Sequence, residues 1–154
     1  MSTSPIAPSH KTVLFLCTGN YYRSRFAEHL FNHLARDAAI NWRAESRGLA
    51  IEDWINPGPI SPHTLERMKQ LRFDDQAIHR EPEQVTYGDL RRADLIVALK
   101  DAEHRPLLDR KFPGWSNQTA FWHVHDVADL APDRALSQIE KHTRELVLDL
   151  KKQS

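Results

Sequence analysis

The chain has 154 residues, 40% of them apolar, which suits the core of one ordinary domain. Its 21 Lys and Arg balance 21 Asp and Glu, so no global field argues for nucleic acid and no acidic tail for a solvating segment. Uninterrupted apolar runs reach about five residues, far too few to span a bilayer.

Met1 to His10 lack the basic-then-apolar pattern of a signal peptide and read as a polar tail, with a single domain over residues 11–151. The expected location is the cytoplasm, without a membrane or nucleic-acid partner, as a monomer or weak dimer. One cysteine, Cys17, excludes an internal disulfide and a multi-cysteine zinc site.

Thr12 to Cys17 reads as a first strand, apolar on both faces as in a parallel sheet covered by helices. Phe26, Ala27, Leu30, Phe31 and Leu34 then recur at helical spacing, predicting a helix over Ser24 to Arg36. Trp42 to Ser46 is a shorter strand ending at Arg47-Gly48. Asn56-Pro57-Gly58-Pro59 is a loop. Ser61-Pro62 opens a helix to about Leu71 in the favoured cap arrangement, with Leu65, Met68 and Leu71 inward.

A short helix is expected over Thr86 to Arg92 and a clear strand over Asp94 to Leu99. Asp101 to Arg110 reads as a helix despite Pro106, Ala120 to Val124 as a last strand, and Pro132 to about Lys151 as a long closing helix. Strand and helix alternate, which predicts an open, mostly parallel four-stranded α/β sheet with helices on both faces. Ligands in such sheets bind beyond the carboxyl ends of strands. Cys17 stands at one such end, and Asp126 lies just past another.

The chemistry concentrates in Cys17-Thr18-Gly19-Asn20-Tyr21-Tyr22-Arg23-Ser24. Five residues between Cys17 and Arg23 can wrap a tetrahedral oxyanion with successive backbone N–H groups pointing inward. Gly19 permits close approach and unusual dihedrals. Asn20 tolerates the left-handed conformation and can tie the loop to itself. The loop runs into a helix N-terminus, and Arg23 offers a planar fork for two phosphate oxygens. These positive surroundings favour a thiolate at Cys17, and Ser24 can donate to its sulfur. A bare Cys-x5-Arg spacing occurs by chance, with Cys17 then a core residue. The strand-loop-helix context, with Gly, Asn and Ser in place, is what favours an anion site.

Cys17-Thr18-Gly19-Asn20-x-x-Arg23-Ser24 followed by Ala27-Glu28 resembles the signature of the low-molecular-weight protein tyrosine phosphatases, and Ala93 to Val97 resembles that family's central strand. The resemblance covers about Lys11 to Leu150 and implies a Rossmann-like, phosphatase type I fold and a phosphomonoesterase. The enzyme so implied acts on phosphorylated protein or aryl phosphate through a phosphocysteine, with no cofactor and no metal. It implies Cys17 as nucleophile, the loop Thr18 to Ser24 with Arg23 as phosphate holder, and a general acid near the C-terminus. Asp126 and Asp129 both stand in that segment, and neither is followed by the family's usual Pro. Asp126 is preferred because an acid following the last strand projects over the loop. Trp54 resembles the family's cleft aromatic, Tyr21 takes a pocket-wall position, and Ser46 resembles a support for the loop asparagine.

Tyr22 stands where many members carry a second cysteine, and Arg25 where Pro is frequent, adding local positive charge. Tyr22 can equally pack against neighbouring loops. Phosphoarginine is a known variation of the family's substrate, and the bulk of Tyr21 leans away from it. Two other readings remain: arsenate reduction with an external thiol, and a phosphoprotein-binding module with weak turnover. The pairs His29 and His33, and His123 and His125, lack a third ligand at convincing spacing for a metal.

Overall fold

The structure, a computed structural model, describes residues 10–53, 58–124 and 132–153. Four strands, β1 (Lys11–Cys17), β2 (Trp42–Gly48), β3 (Leu95–Ala98) and β4 (Thr119–Phe121), form one sheet in the order β2-β1-β3-β4. All three pairings are parallel. The chain goes from β1 to one side for β2 and to the other for β3. The sheet therefore changes direction at β1, and Cys17 lies at its carboxyl end, the place where such folds bind ligands.

Among the described residues five α-helices accompany the sheet: α1 (Arg23–Ala38), α2 (Pro62–Gln70), α3 (Tyr87–Arg92), α4 (Asp101–Lys111) and α5 (Pro132–Lys152). Alternation along β1 sorts its side chains onto two faces. Val13 and Phe15 join a core cluster with Phe26, Leu30 and Phe31 of α1 and Leu136 and Ile139 of α5. Leu14 and Leu16 join a second cluster with Leu90 of α3 and Leu108 of α4. Both faces are thus buried, which explains the unbroken apolar run of β1.

The caps follow the sequence. Ser61 accepts from the His63 N–H and Pro62 takes the first helical position of α2. Thr86 and Asp89 close a capping box on α3. Helix α4 continues through Pro106, losing one helical hydrogen bond. In α2 Met68 is buried and Leu71 packs half-buried against the first core cluster, as expected, while Thr64 rather than Leu65 is buried in the turn before. Strand β4 ends at Phe121, and the expected residues beyond it contribute a single antiparallel bridge, His123 to Lys100.

Candidate active site

Backbone geometry builds the loop after β1. The carbonyls of Cys17 and Thr18 accept from the Leu49 and Ala50 N–H groups, at 2.9 and 3.0 Å. Those of Tyr21 and Tyr22 accept from the Ser61 N–H at 2.9 Å and the Thr64 hydroxyl at 3.2 Å. In a trans peptide the C=O and the following N–H point opposite ways. With these four carbonyls turned outward, the N–H groups of Thr18, Gly19, Tyr22 and Arg23 face into the loop, an arrangement suited to an anion. The turn is made at Asn20, whose φ is 52°; the left-handed residue is the asparagine rather than Gly19. No side chain caps the N-terminus of α1.

A buried chain of hydrogen bonds reaches the thiol. Ser46 Oγ donates to Glu28 Oε1 at 2.6 Å and accepts from Asn20 Nδ2 at 2.9 Å. Asn20 Nδ2 also donates to Ser24 Oγ at 3.0 Å. Ser24 Oγ is 2.9 Å from Cys17 Sγ. Because Ser24 already accepts from Asn20, its own proton is available to the sulfur, which is the polarity a thiolate requires. Asn20 Oδ1 accepts from Arg80 Nη1 and the Glu83 N–H, both at 3.0 Å. Arg80 Nη2 in turn pairs with Glu28 at 2.7 Å and Ser46 Oγ at 2.9 Å. The buried carboxylate of Glu28 is thereby neutralised, and all four side-chain bonds of Asn20 go to named partners.

Arg23 is buried and closes the loop. Its Nη2 donates to Glu103 Oε2 at 2.9 Å and its Nη1 to the Val124 carbonyl at 3.5 Å. Glu103 Oε2 also accepts from the Thr18 hydroxyl and from His104 Nε2 at 3.1 Å. Burial pushes the Glu103 carboxyl up. Hydrogen bonds from His104 and Arg23, with the charge of Arg23, outweigh that and hold it well below the usual carboxylate range.

Gly48 backs the loop. A Cβ there would meet the Thr18 carbonyl oxygen at 2.8 Å and the Asn20 nitrogen at 3.2 Å, so this strand end accepts only glycine without displacement.

Arg25, expected to add local positive charge, does so from the interior. It is fully buried, donating to the carbonyls of Pro59 and Arg80, each at 2.9 Å, and of Ile78 at 3.0 Å. Its Nε donates to His29 Nε2 at 3.4 Å, so His29 carries its proton on Nδ1 and gives it to Asp75 at 2.8 Å. Burial, with the charge of Arg80, lowers the guanidinium to about 10, still positive at neutral pH. Arg25 thus fastens the segment carrying Arg80 onto α1.

Among the sequence candidates, the structure brings together Cys17, Thr18, Asn20, Arg23, Ser24 and Ser46. Tyr22 is buried, its ring edge-on to His63 at 6.3 Å. Tyr21 is half-buried against the first core cluster, with its hydroxyl buried and unpartnered among the described residues. Trp54, Asp126, Asp129 and His125 lie outside the described residues. His33 stacks on Phe73 at 4.8 Å. Among the described residues no three His, Cys, Asp or Glu are grouped to hold a metal, and no helix is long and apolar enough to cross a membrane. Sequence reasoning missed Glu103, His104, Arg80 and Gly48. Glu103 and His104 carried one signal, a position shortly after β3; Gly48 read only as the end of β2, and Arg80 carried none.

The model of the low molecular weight phosphotyrosine protein phosphatase family matches residues 12–154. The low molecular weight protein-tyrosine-phosphatase YfkJ of Bacillus subtilis is 30% identical over 130 residues, 83% of this chain and 78% of that protein. A protein-arginine-phosphatase of the same organism is 28% identical over 101 residues, covering 65% of this chain and 62% of that protein, less than two thirds of its length. The crystal structure of YfkJ superposes with a TM-score of 0.79 at 24% identity, covering 95% of this chain and 98% of that one, a likeness of fold. With the family model matching nearly the whole chain and a relative 30% identical over 83% of it, the chain belongs to the low molecular weight phosphotyrosine protein phosphatase family.

Proposed function

We propose that this protein hydrolyses phosphate monoesters through a phosphocysteine at Cys17, with protein phosphotyrosine as its substrate. The observation that carries the reading is the orientation of the loop. Four peptide N–H groups face inward beside Arg23, and Ser24 presents its proton to Cys17 Sγ from 2.9 Å.

The Cys17 thiolate attacks phosphorus in line, forming the S–P bond as the P–O bond to the leaving group breaks. Loop N–H groups and the Arg23 guanidinium stabilise charge on the equatorial oxygens. Asp126 gives a proton to the departing oxygen, then takes one from the water that attacks phosphorus as the S–P bond breaks. Asp129 is the alternative acid. Ser24 stabilises the thiolate in both directions. A catalytic thiol needs reducing surroundings, which agrees with a cytoplasmic location.

The test is hydrolysis of p-nitrophenyl phosphate with a chelator present, with acid-quenched protein analysed for a phosphoryl group on the Cys17 peptide. Turnover should vanish in Cys17→Ser, and persistence there would overturn the mechanism. Asp126→Ala should slow hydrolysis strongly; the same loss in Asp129→Ala instead would move the acid to that residue. Phosphotyrosine and phosphoarginine peptides assayed side by side decide the substrate class, faster release from phosphoarginine refuting the choice made here.

A further inference from the structure

Glu103 lies outside the Cys17 to Ser24 motif, in the first turn of α4, yet one of its oxygens joins both ends of the anion loop. Glu103 Oε2 accepts from Thr18, the first residue after the nucleophile, and from Nη2 of Arg23, the last, at 2.9 Å. The same oxygen faces His104 Nε2 at 3.1 Å. His104 is fully buried, and its Nδ1 accepts from the Lys100 N–H at 3.0 Å. A ring nitrogen that accepts carries no proton, so in the neutral ring the proton is on Nε2 and goes to Glu103. The chain of bonds runs from the end of β3 through His104 and Glu103 to Thr18 and Arg23.

We propose that Glu103, oriented by His104, is a positioning residue that holds the guanidinium of Arg23 and the start of the loop in the geometry that receives a phosphoryl group. The inference builds on the phosphatase reading of the loop given above. Glu103 is not a proton donor in this reading: the hydrogen bonds it accepts from Thr18, Arg23 and His104, with the charge of Arg23, favour its ionised form. Nor is it an anion waiting to be displaced by substrate. Leaving Arg23 would also break its bonds to Thr18 and His104, all made by the same oxygen. Its negative charge partly cancels that of Arg23, so this arrangement gains orientation at some cost in attraction for phosphate.

That trade gives a signature. In Glu103→Gln, kcat on p-nitrophenyl phosphate should fall about tenfold or more, while inorganic phosphate should inhibit equally well or up to about threefold more tightly. His104→Phe should lower kcat similarly, and the double variant should be no worse than the poorer single one, because the two residues act as a unit. General structural damage would weaken turnover and phosphate binding together, and that outcome overturns the proposal, as does a wild-type kcat in Glu103→Gln. A pH–rate profile that loses its acid-group limb in Glu103→Gln would make Glu103 a proton donor and overturn it too.

A readout independent of turnover is the nitrogen-15 spectrum of the arginine side chains. Slowly rotating Nη groups of Arg23 in the wild type should become averaged in Glu103→Gln. Unchanged Arg23 signals would refute the proposal. Absence of any hydrolysis by the wild type would instead refute the phosphatase reading and leave the spectra to decide the role of Glu103.

Discussion

Replacing Gly48 with alanine tests whether the phosphate loop is held by the strand end behind it. The added methyl would overlap Ile51 Cγ2 and meet the Thr18 carbonyl oxygen at 2.8 Å and the Asn20 nitrogen at 3.2 Å. The isoleucine Cγ2 branches at Cβ and moves only with χ1 or the backbone of Ile51. The two backbone atoms belong to the loop and carry it with them. Moving the carbonyl from 2.8 Å to the 3.4 Å where ordinary contact begins needs about 0.6 Å. Overpacking of this kind costs about 1–3 kcal/mol, and for a chain of this size each kcal/mol lowers the melting temperature by about 2–4 °C. A displacement of ~1 Å at reacting groups costs on the order of a hundredfold in rate, so this shift should cost roughly tenfold in kcat/KM. Gly88→Ala is the control. Its methyl meets only the far end of the Arg92 side chain at 3.0 Å and Thr86 Oγ1 at 3.6 Å, and a helical alanine should leave stability equal or about 0.5–1 kcal/mol higher. Urea titration and p-nitrophenyl phosphate kinetics on both variants decide the matter. Wild-type melting and rate in Gly48→Ala would refute the idea that this close approach sets the loop.

Arg25→Met should destabilise by about 3–5 kcal/mol, because it leaves three carbonyls and His29 without their donor. A melting temperature within a degree or two of wild type would count against that assignment. For His104, burial first and the charges of Arg23 and Lys100 next lower the folded value, against the opposing pull of Glu103. Below its ordinary value of 6.5 the unfolded chain takes up a proton that the folded one refuses. The stability advantage of wild type over His104→Phe should therefore be full above about pH 7.5 and narrow as the pH falls to about 5.5. Urea titrations at the two pH values check this; a gap that stays constant or widens on acidification contradicts it.

What the sequence disclosed was local. The apolar run of β1, the helical spacing of Phe26, Leu30 and Phe31, the Ser61-Pro62 cap and the loop from Cys17 to Ser24 are each contained within a short window. Their physics is that of neighbouring residues, and the observed elements agree to within a few residues. What stayed hidden is set by distant partners. Arg25 read only as added positive charge, because the three carbonyls it binds lie 34 to 55 residues away. Glu103 looked like any acidic residue of a helical first turn, and its bond to Thr18 crosses 85 residues. Gly48 resembled an ordinary strand end, since only the folded loop shows why a methyl is excluded.

The chain of bonds from Glu28 through Ser46, Asn20 and Ser24 to Cys17 carries a consequence for how the protein acquires its activity. The anion loop is contiguous in sequence, but its shape depends on β2, on the segment around Arg80 and on α4, so a peptide spanning it would lack the site. On the proposed reading of the loop, affinity for phosphate requires these segments to be docked. Phosphate then stabilises the native state alone, by RT ln(1 + [L]/Kd), and its binding counts the fully assembled molecules in a refolding mixture where secondary structure cannot.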